Sequence, residues 1–256
     1  MIDSHTHLFL CERPEADVVA AAVEAGVERM LNVGLEAGSN EQAIAAAQRH
    51  ESVFATVGCH PTEAAGFGDA DAERIASLAA ENEKVRAIGE TGIDYYRETA
   101  SRAEQRRAFE AQIEIARDQG LPIVIHARDP DGETGAIDAV FEVLDARGDG
   151  VEVILHCFAA PWRVEDAIER GWYCSFSGVV TFPSADELRE AAEKLPDDLL
   201  LVETDAPYLA PQPVRGKPNE PAHVVSTAET VAEVRGVSYP ELERTVEANA
   251  RALFEW

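Results

Sequence analysis

Short apolar runs and amphipathic stretches alternate along the whole chain. Ile2–Leu8, Arg29–Val33, Val53–Cys59, Val85–Gly89, Leu121–His126, Val151–His156, Trp172–Phe176 and Leu199–Val202 have the length and aliphatic character of strands. Helical spacing fills the intervals: Pro14 to Gly26, Asn40–His50, Asp71–Ala80, Ser101–Gln119, Gly135–Ala146, Arg163–Glu169 and Ala185–Leu195. Ala222–Arg235 and Tyr239–Leu253 follow the last strand. In Ser101–Gln119 the apolar points Phe109, Ile113, Ile115 and Ala116 give one buried side, and Gly120 reads as the C-cap.

Strands separated by helices of this length pair in parallel through right-handed crossovers. Eight such units in 256 residues predict a (β/α)8 barrel, read as a single domain over residues 1–256. An open doubly wound sheet is the rival. It usually has fewer strands and often a glycine-rich turn after the first, where this chain has His5 and His7. The prolines of Leu209–Pro221 (Pro211, Pro213, Pro218 and Pro221, with Pro207 just before) suit a rigid lip over a site better than a linker.

Charge changes the picture. Asp and Glu number 48 against 22 Lys and Arg, a formal net charge of −26, and only 3 of the 22 are Lys. The acids are spread over the helical stretches, which describes a charged surface around an ordinary core and suggests a salt-adapted cytoplasm. Such a surface argues against a broad basic groove for nucleic acid, but not against phosphate substrates met by cations and a few Arg. No apolar run approaches the roughly 18 residues of a membrane helix, and no secretion signal is visible at Met1–His5. Cys11, Cys59, Cys157 and Cys174 form no CxxC pair and read as reduced thiols. A cytoplasmic protein with no membrane association and no obligate protein partner is the expectation.

The chemistry-bearing residues collect at strand ends. His5 and His7 lie two apart, so a strand sends both to one face. His126 and His156 end their runs, Glu90 follows Val85–Gly89, and Asp205 lies three residues past Val202. In a barrel these positions form the catalytic face. One strand-end His is usually just a satisfied polar residue, but six ligand-type residues at such ends point to a metal site. Nitrogen and oxygen donors without thiolate suit Zn, Mn, Co, Ni or Mg, and six donors exceed the needs of one catalytic zinc, which favours two ions bridged by a carboxylate.

These blocks resemble the TatD family of metal-dependent hydrolases, within the amidohydrolase-like barrels. The resemblance runs through His5-Thr6-His7, Gly58-Cys59-His60-Pro61, Ile88-Gly89-Glu90-Thr91-Gly92-Ile93-Asp94-Tyr95, Ile125-His126-Ala127-Arg128-Asp129, His156-Cys157-Phe158, Glu203-Thr204-Asp205-Ala206-Pro207-Tyr208-Leu209, Arg215–Pro221 and Asn249–Phe254, nearly the full length in family order. It implies a metal-hydrolase barrel and hydrolysis of DNA phosphodiester bonds, from 3′ to 5′, with two divalent cations (Mg²⁺, Mn²⁺ or Zn²⁺). DNA, with single-stranded ends favoured, is then the substrate. Carried over, His5, His7, Glu90 and Asp205 hold one ion, and Glu90, His126 and His156 the other. Asp205 orients the attacking water and takes its proton. His60 is a phosphate contact or leaving-group donor, or alternatively fastens its own strand-loop junction. Ala159-Ala160-Pro161 departs from the small or hydroxyl residues that often follow the family's His-Cys-Phe block.

Around this set, Arg128 shares the face of His126 if the strand continues, and with Arg215 and Lys217 it is a candidate phosphate contact. Phe158 and Tyr208 are candidates for stacking on a base, against a packing role. Glu203 reads as a hydrogen-bond acceptor behind the ligands. Two other functions compete. One is ester or amide hydrolysis on the same barrel, including an aminoacyl-tRNA ester; the other is a non-catalytic acidic binding protein. None of Lys84, Lys194 and Lys217 ends a strand, so no carbamylated lysine bridge is available and Glu90 is favoured as the bridge.

Overall fold

The computed structural model describes residues 1–97 and 99–256. The strands are β1 (Ile2–Thr6), β2 (Arg29–Val33), β3 (Val53–Val57), β4 (Val85–Asp94), β5 (Ile123–Arg128), β6 (Val153–Leu155), β7 (Tyr173–Phe176) and β8 (Leu200–Val202). They form one sheet in sequence order from β1 to β8. The pairings β1–β2, β3–β4, β4–β5, β5–β6 and β7–β8 are parallel. A parallel bridge from Thr6 to Ala206 ties the end of β1 to the segment after β8. This is the (β/α)8 barrel that the alternation of elements predicts. The helices are α1 (Glu15–Glu24), α2 (Ala37–Arg49), α3 (Asp69–Glu81), α4 (Arg102–Gln119), α5 (Gly135–Arg147), α6 (Val164–Arg170), α7 (Asp186–Lys194), α8 (Val224–Arg235) and α9 (Tyr239–Phe254). Among the described residues, no helix is long and apolar enough to cross a membrane.

The chain packs as two compact units. The first comprises Met1–Asn32, Ala46–Phe54 and His156–Trp256. In it α9 packs on β8 and β1, burying Leu242, Val246, Ala250 and Leu253, a stripe of helical period. Ser238 starts this helix: its N–H donates to Glu241 Oε2 at 2.9 Å. The second unit comprises Val33–Ala45 and Ala55–Leu155. Here α4 packs on β4 and buries Gln105, Ala108, Phe109, Gln112, Ile113 and Ala116. Ser101 Oγ accepts the Glu104 N–H, and Gly120 closes the helix at φ 65°, as its sequence predicts. A fully buried Phe such as Phe109 contributes about 1.5–3 kcal/mol.

Element boundaries shift where side chains intervene. Helix α2 starts at Ala37, before Asn40, because the Glu36 carboxylate accepts the Gly38 and Ser39 N–H groups at 2.7 Å each. Strand β1 stops at Thr6, short of Leu8, and a short 3-10 turn begins at Leu8. The largest change is in β4, which runs on to Asp94, so that Glu90 lies within the strand instead of after it. Its pairing with β5 shifts register between Ile88 and Thr91. Gly89 (φ 132°) and Gly92 (φ 140°) make that path possible: a Cβ would lie 2.7 Å from the Val124 carbonyl oxygen and 2.1 Å from that of His126. Strand β5 likewise continues to Arg128, as the shared-face argument requires.

Candidate metal centre

In the first unit, β1 carries His5 and the residue after its end carries His7. Their Nε2 atoms lie 3.3 Å apart. Both face the Asp205 carboxylate, 3.8 Å from His5 and 3.5 Å from His7. Asp205 sits beyond β8 at φ 54°, a left-handed conformation that Asp tolerates better than most residues. Its N–H donates to the His5 carbonyl at 2.9 Å, which fixes the loop against β1. The His156 ring stacks on His5 with centroids 3.8 Å apart. Its Nδ1 lies 3.1 Å from Glu203 Oε1, which also accepts the Cys157 N–H at 2.7 Å. With Nδ1 donating to Glu203, the lone pair of His156 is on Nε2, which makes Nε2 the nitrogen able to ligate an ion. Burial acts to raise the pKa of Asp205, but the His7 hydrogen bond and the charges of His156, His5 and His7 outweigh it, and the carboxylate is held below its usual value.

Below these residues Asp3 is fully buried. Its carboxylate accepts Thr204 Oγ1–H at 2.5 Å and Thr204 N–H at 2.9 Å, joining β1 to the chain that leads from β8 to Asp205. Burial pushes its pKa up to about 8, against those hydrogen bonds. No sequence motif marks it. Its place on β1, on the same face as His5, was the available signal.

In the second unit, Glu90 Oε1 lies 2.7 Å from His126 Nδ1 and 3.6 Å from His60 Nε2. His60 follows β3, and its Nδ1 accepts the Thr62 N–H at 3.1 Å, capping the short turn Pro61–Glu63. A neutral His60 therefore carries its hydrogen on Nε2 and presents a donor toward Glu90. The other nitrogen of His126, Nε2, lies 3.1 Å from Asp94 Oδ2. The apolar run that marks β4 in the sequence ends at Gly89, which leaves Asp94 outside the site that the sequence predicts. Burial acts to raise its pKa, but the His126 hydrogen bond and the Arg97 N–H hold it below the usual carboxylate value.

Within the first unit His5, His156 and Asp205, and within the second His60, Glu90 and His126, bring ligand atoms to within 4.8 Å of one another. Each group combines imidazole nitrogens with carboxylate oxygen and no thiolate, a donor set that fits divalent cations of the Mg, Mn or Zn type. Buried carboxylates in this number, with Glu203 Oε2 lacking any hydrogen-bond partner among the described residues, also call for nearby positive charge. Each cluster has the donors of a hydrolytic metal site.

The outlying candidates divide. Arg128 is exposed and stacks its guanidinium 4.1 Å over the Tyr96 ring. Tyr208 is 47% exposed and its ring lies in a T-shaped contact with His7, with centroids 6.3 Å apart. Phe158 is buried and edge-on to Phe176 at 6.0 Å, which gives it the packing role. Arg215 stacks over Phe182 at 4.1 Å, and Lys217 is exposed in the same loop. Asn219 anchors that loop by donating to the Thr204 and Tyr208 carbonyls at 2.9 and 2.6 Å.

Comparison with known proteins agrees with this geometry. The TatD-related DNase family profile matches residues 2–255. An uncharacterized metal-dependent hydrolase, TatD, of Mycobacterium tuberculosis is 38% identical over 264 residues, covering 99% of this chain and 97% of that protein. The 3′-5′ ssDNA/RNA exonuclease TatD of Salmonella typhimurium is 38% identical over 246 residues, covering 93% and 92%. The crystal structure of the TatD homologue YjjV from Escherichia coli superposes with a TM-score of 0.90 at 25% identity, over 100% of this chain and 98% of that one. The chain belongs to the TatD-related DNase family, and it is a metal-dependent hydrolase.

Proposed function

We propose that the protein is a metal-dependent 3′-5′ exonuclease acting on single-stranded ends of DNA, working as one catalytic domain over residues 1–256 in the cytoplasm. The observation that carries the reading is the pair of imidazole–carboxylate clusters at strand ends of a barrel, in a chain 38% identical to a 3′-5′ ssDNA/RNA exonuclease. His5, His7 and Asp205 would hold one ion, His126 and His156 the other, and Glu90 both. Bound there, divalent cations polarise the phosphoryl oxygens and lower the pKa of a water.

The chain's own residues do the rest. Asp205, with its backbone fixed to the His5 carbonyl, accepts a proton from the attacking water at a carboxylate oxygen. Glu203 keeps the hydrogen of His156 on Nδ1. His60, its Nδ1 engaged by Thr62, donates from Nε2 to a phosphate or departing oxygen. Arg128 binds phosphate oxygens through its planar fork, and Arg215 and Lys217 add charge from the proline-rich loop. Tyr208 offers a face to the terminal base.

The test is turnover of 5′-labelled single-stranded DNA and RNA and of small carboxylic esters, with and without a chelator. The expected result is stepwise shortening from the 3′ end that the chelator stops and Mg²⁺ or Mn²⁺ restores. Ester cleavage with untouched oligonucleotides would overturn the reading.

A further inference from the structure

We infer that Asp94 is a positioning residue: it clamps the His126 ring in the tautomer and orientation that turn Nδ1 toward Glu90. The inference rests on the reading that His126 ligates an ion. Asp94 is fully buried at the end of β4 and paired in register with Arg128, while Gly92 pairs with His126. Its two carboxylate oxygens have separate duties. Oδ2 faces His126 Nε2 at 3.1 Å, and Oδ1 accepts the Arg97 N–H at 2.7 Å. The backbone beneath is also held from α4: Gln105 Oε1 accepts the Asp94 N–H at 2.8 Å, and Gln105 Nε2 donates to the Asp94 carbonyl at 2.9 Å. The carboxylate therefore reaches His126 from a fixed base.

A hydrogen bond accepted from Nε2–H leaves the lone pair of a neutral His126 on Nδ1, the nitrogen 2.7 Å from Glu90 Oε1. The arrangement mirrors Glu203 and His156 with the nitrogens exchanged: there the carboxylate takes Nδ1 and leaves Nε2. Each unit thus has one carboxylate that selects which imidazole nitrogen is available to an ion. The side-chain amide in Asp94→Asn has a single oxygen. If that oxygen serves the Arg97 N–H, the amide NH2 meets His126 Nε2, which must become an acceptor. The hydrogen then moves to Nδ1, where it blocks ligation.

The experiment measures Mn²⁺ binding by equilibrium dialysis on the full-length parent, Asp94→Asn, Asp94→Glu and His126→Ala. It is paired with the His126 tautomer in the Mg²⁺-loaded proteins from long-range ¹H–¹⁵N NMR. Expected are a 10- to 100-fold weaker affinity for one ion in Asp94→Asn, the other ion unchanged, a shift of the His126 hydrogen from Nε2 to Nδ1, and partial recovery in Asp94→Glu. His126→Ala should lose that same ion. If His126→Ala keeps both ions at parental affinity, the ligand reading fails and the inference with it. If His126→Ala loses an ion while Asp94→Asn binds both with the parental tautomer, the positioning role alone is overturned. Equal weakening of both ions in Asp94→Asn also overturns it, since that is the mark of general loosening.

Discussion

Replacing Arg128 by Ala separates substrate binding from structure, because the partners of this side chain are few. Its guanidinium lies 4.1 Å over Tyr96, and among the described residues no ion pair holds it. Asp129, the nearest carboxylate in sequence, is spent on the start of α5, accepting the Ala136 and Ile137 N–H groups at 2.6 and 3.1 Å. An exposed cation–π contact is worth about 0.5–1 kcal/mol, which bounds the stability cost of the substitution. A charge-assisted contact to a phosphate oxygen is worth about 1.5–3 kcal/mol, or roughly 10- to 150-fold in kcat/KM. The assay is steady-state cleavage of an end-labelled oligonucleotide beside a neutral ester, together with the melting temperature and bound metal. The expected result is a 10- to 150-fold loss on the oligonucleotide, little change on the ester, both ions retained and partial rescue by Arg128→Lys. Parental cleavage of the oligonucleotide with both ions in place would refute the reasoning. Equal loss on both substrates with a lowered melting temperature would show that Arg128 shapes the site instead.

Three further outcomes follow from charge and burial. Burial pushes the thiols of Cys11, Cys59 and Cys157 up to about 12. A raised folded-state pKa gives stability that is present below the unfolded thiol value and lost above it, so the urea midpoint should fall as pH rises from about 9 towards 12; a Cys59→Ala variant should show a shallower fall, and an identical slope would contradict this. At pH 8 the same thiols should react with iodoacetamide far more slowly in the folded protein than in urea, as mass spectrometry can count. With a formal charge of −26, the melting temperature of metal-free protein should climb from low to molar monovalent salt, where the screening length is roughly 3 Å; a flat profile would refute salt adaptation.

The alternation of apolar runs and helical stretches was enough for the barrel, because strand number and crossover length are local properties of the chain. The same holds for helix α4, whose Ser101 cap and Gly120 stop are written in its own residues. The candidate ligands stand out in the sequence because six polar groups at apolar strand ends have no packing reason to be there. What the sequence hid was pairing. Asp94 shares the parity of Glu90, so reading β4 through to Asp94 would have exposed it. That continuation depends on Gly89 and Gly92 passing close under β5, a contact between strands that one strand's sequence does not contain. The two roles of His60 likewise depend on which nitrogen Thr62 engages. Phe158, a stacking candidate by its place after a strand end, is buried beside Phe176, and exposure is a property of neighbours.

The most direct test of the proposal that two ions share Glu90 is the number of ions bound. Protein stripped with chelator, equilibrated with Mn²⁺ and freed of excess ion should retain two ions per chain by elemental analysis. Glu90→Gln removes charge from both positions at once and should weaken both ions, whereas His7→Ala should weaken one. A parent protein that retains no ion, or a Glu90→Gln variant that holds two at the parental affinity, would contradict the account.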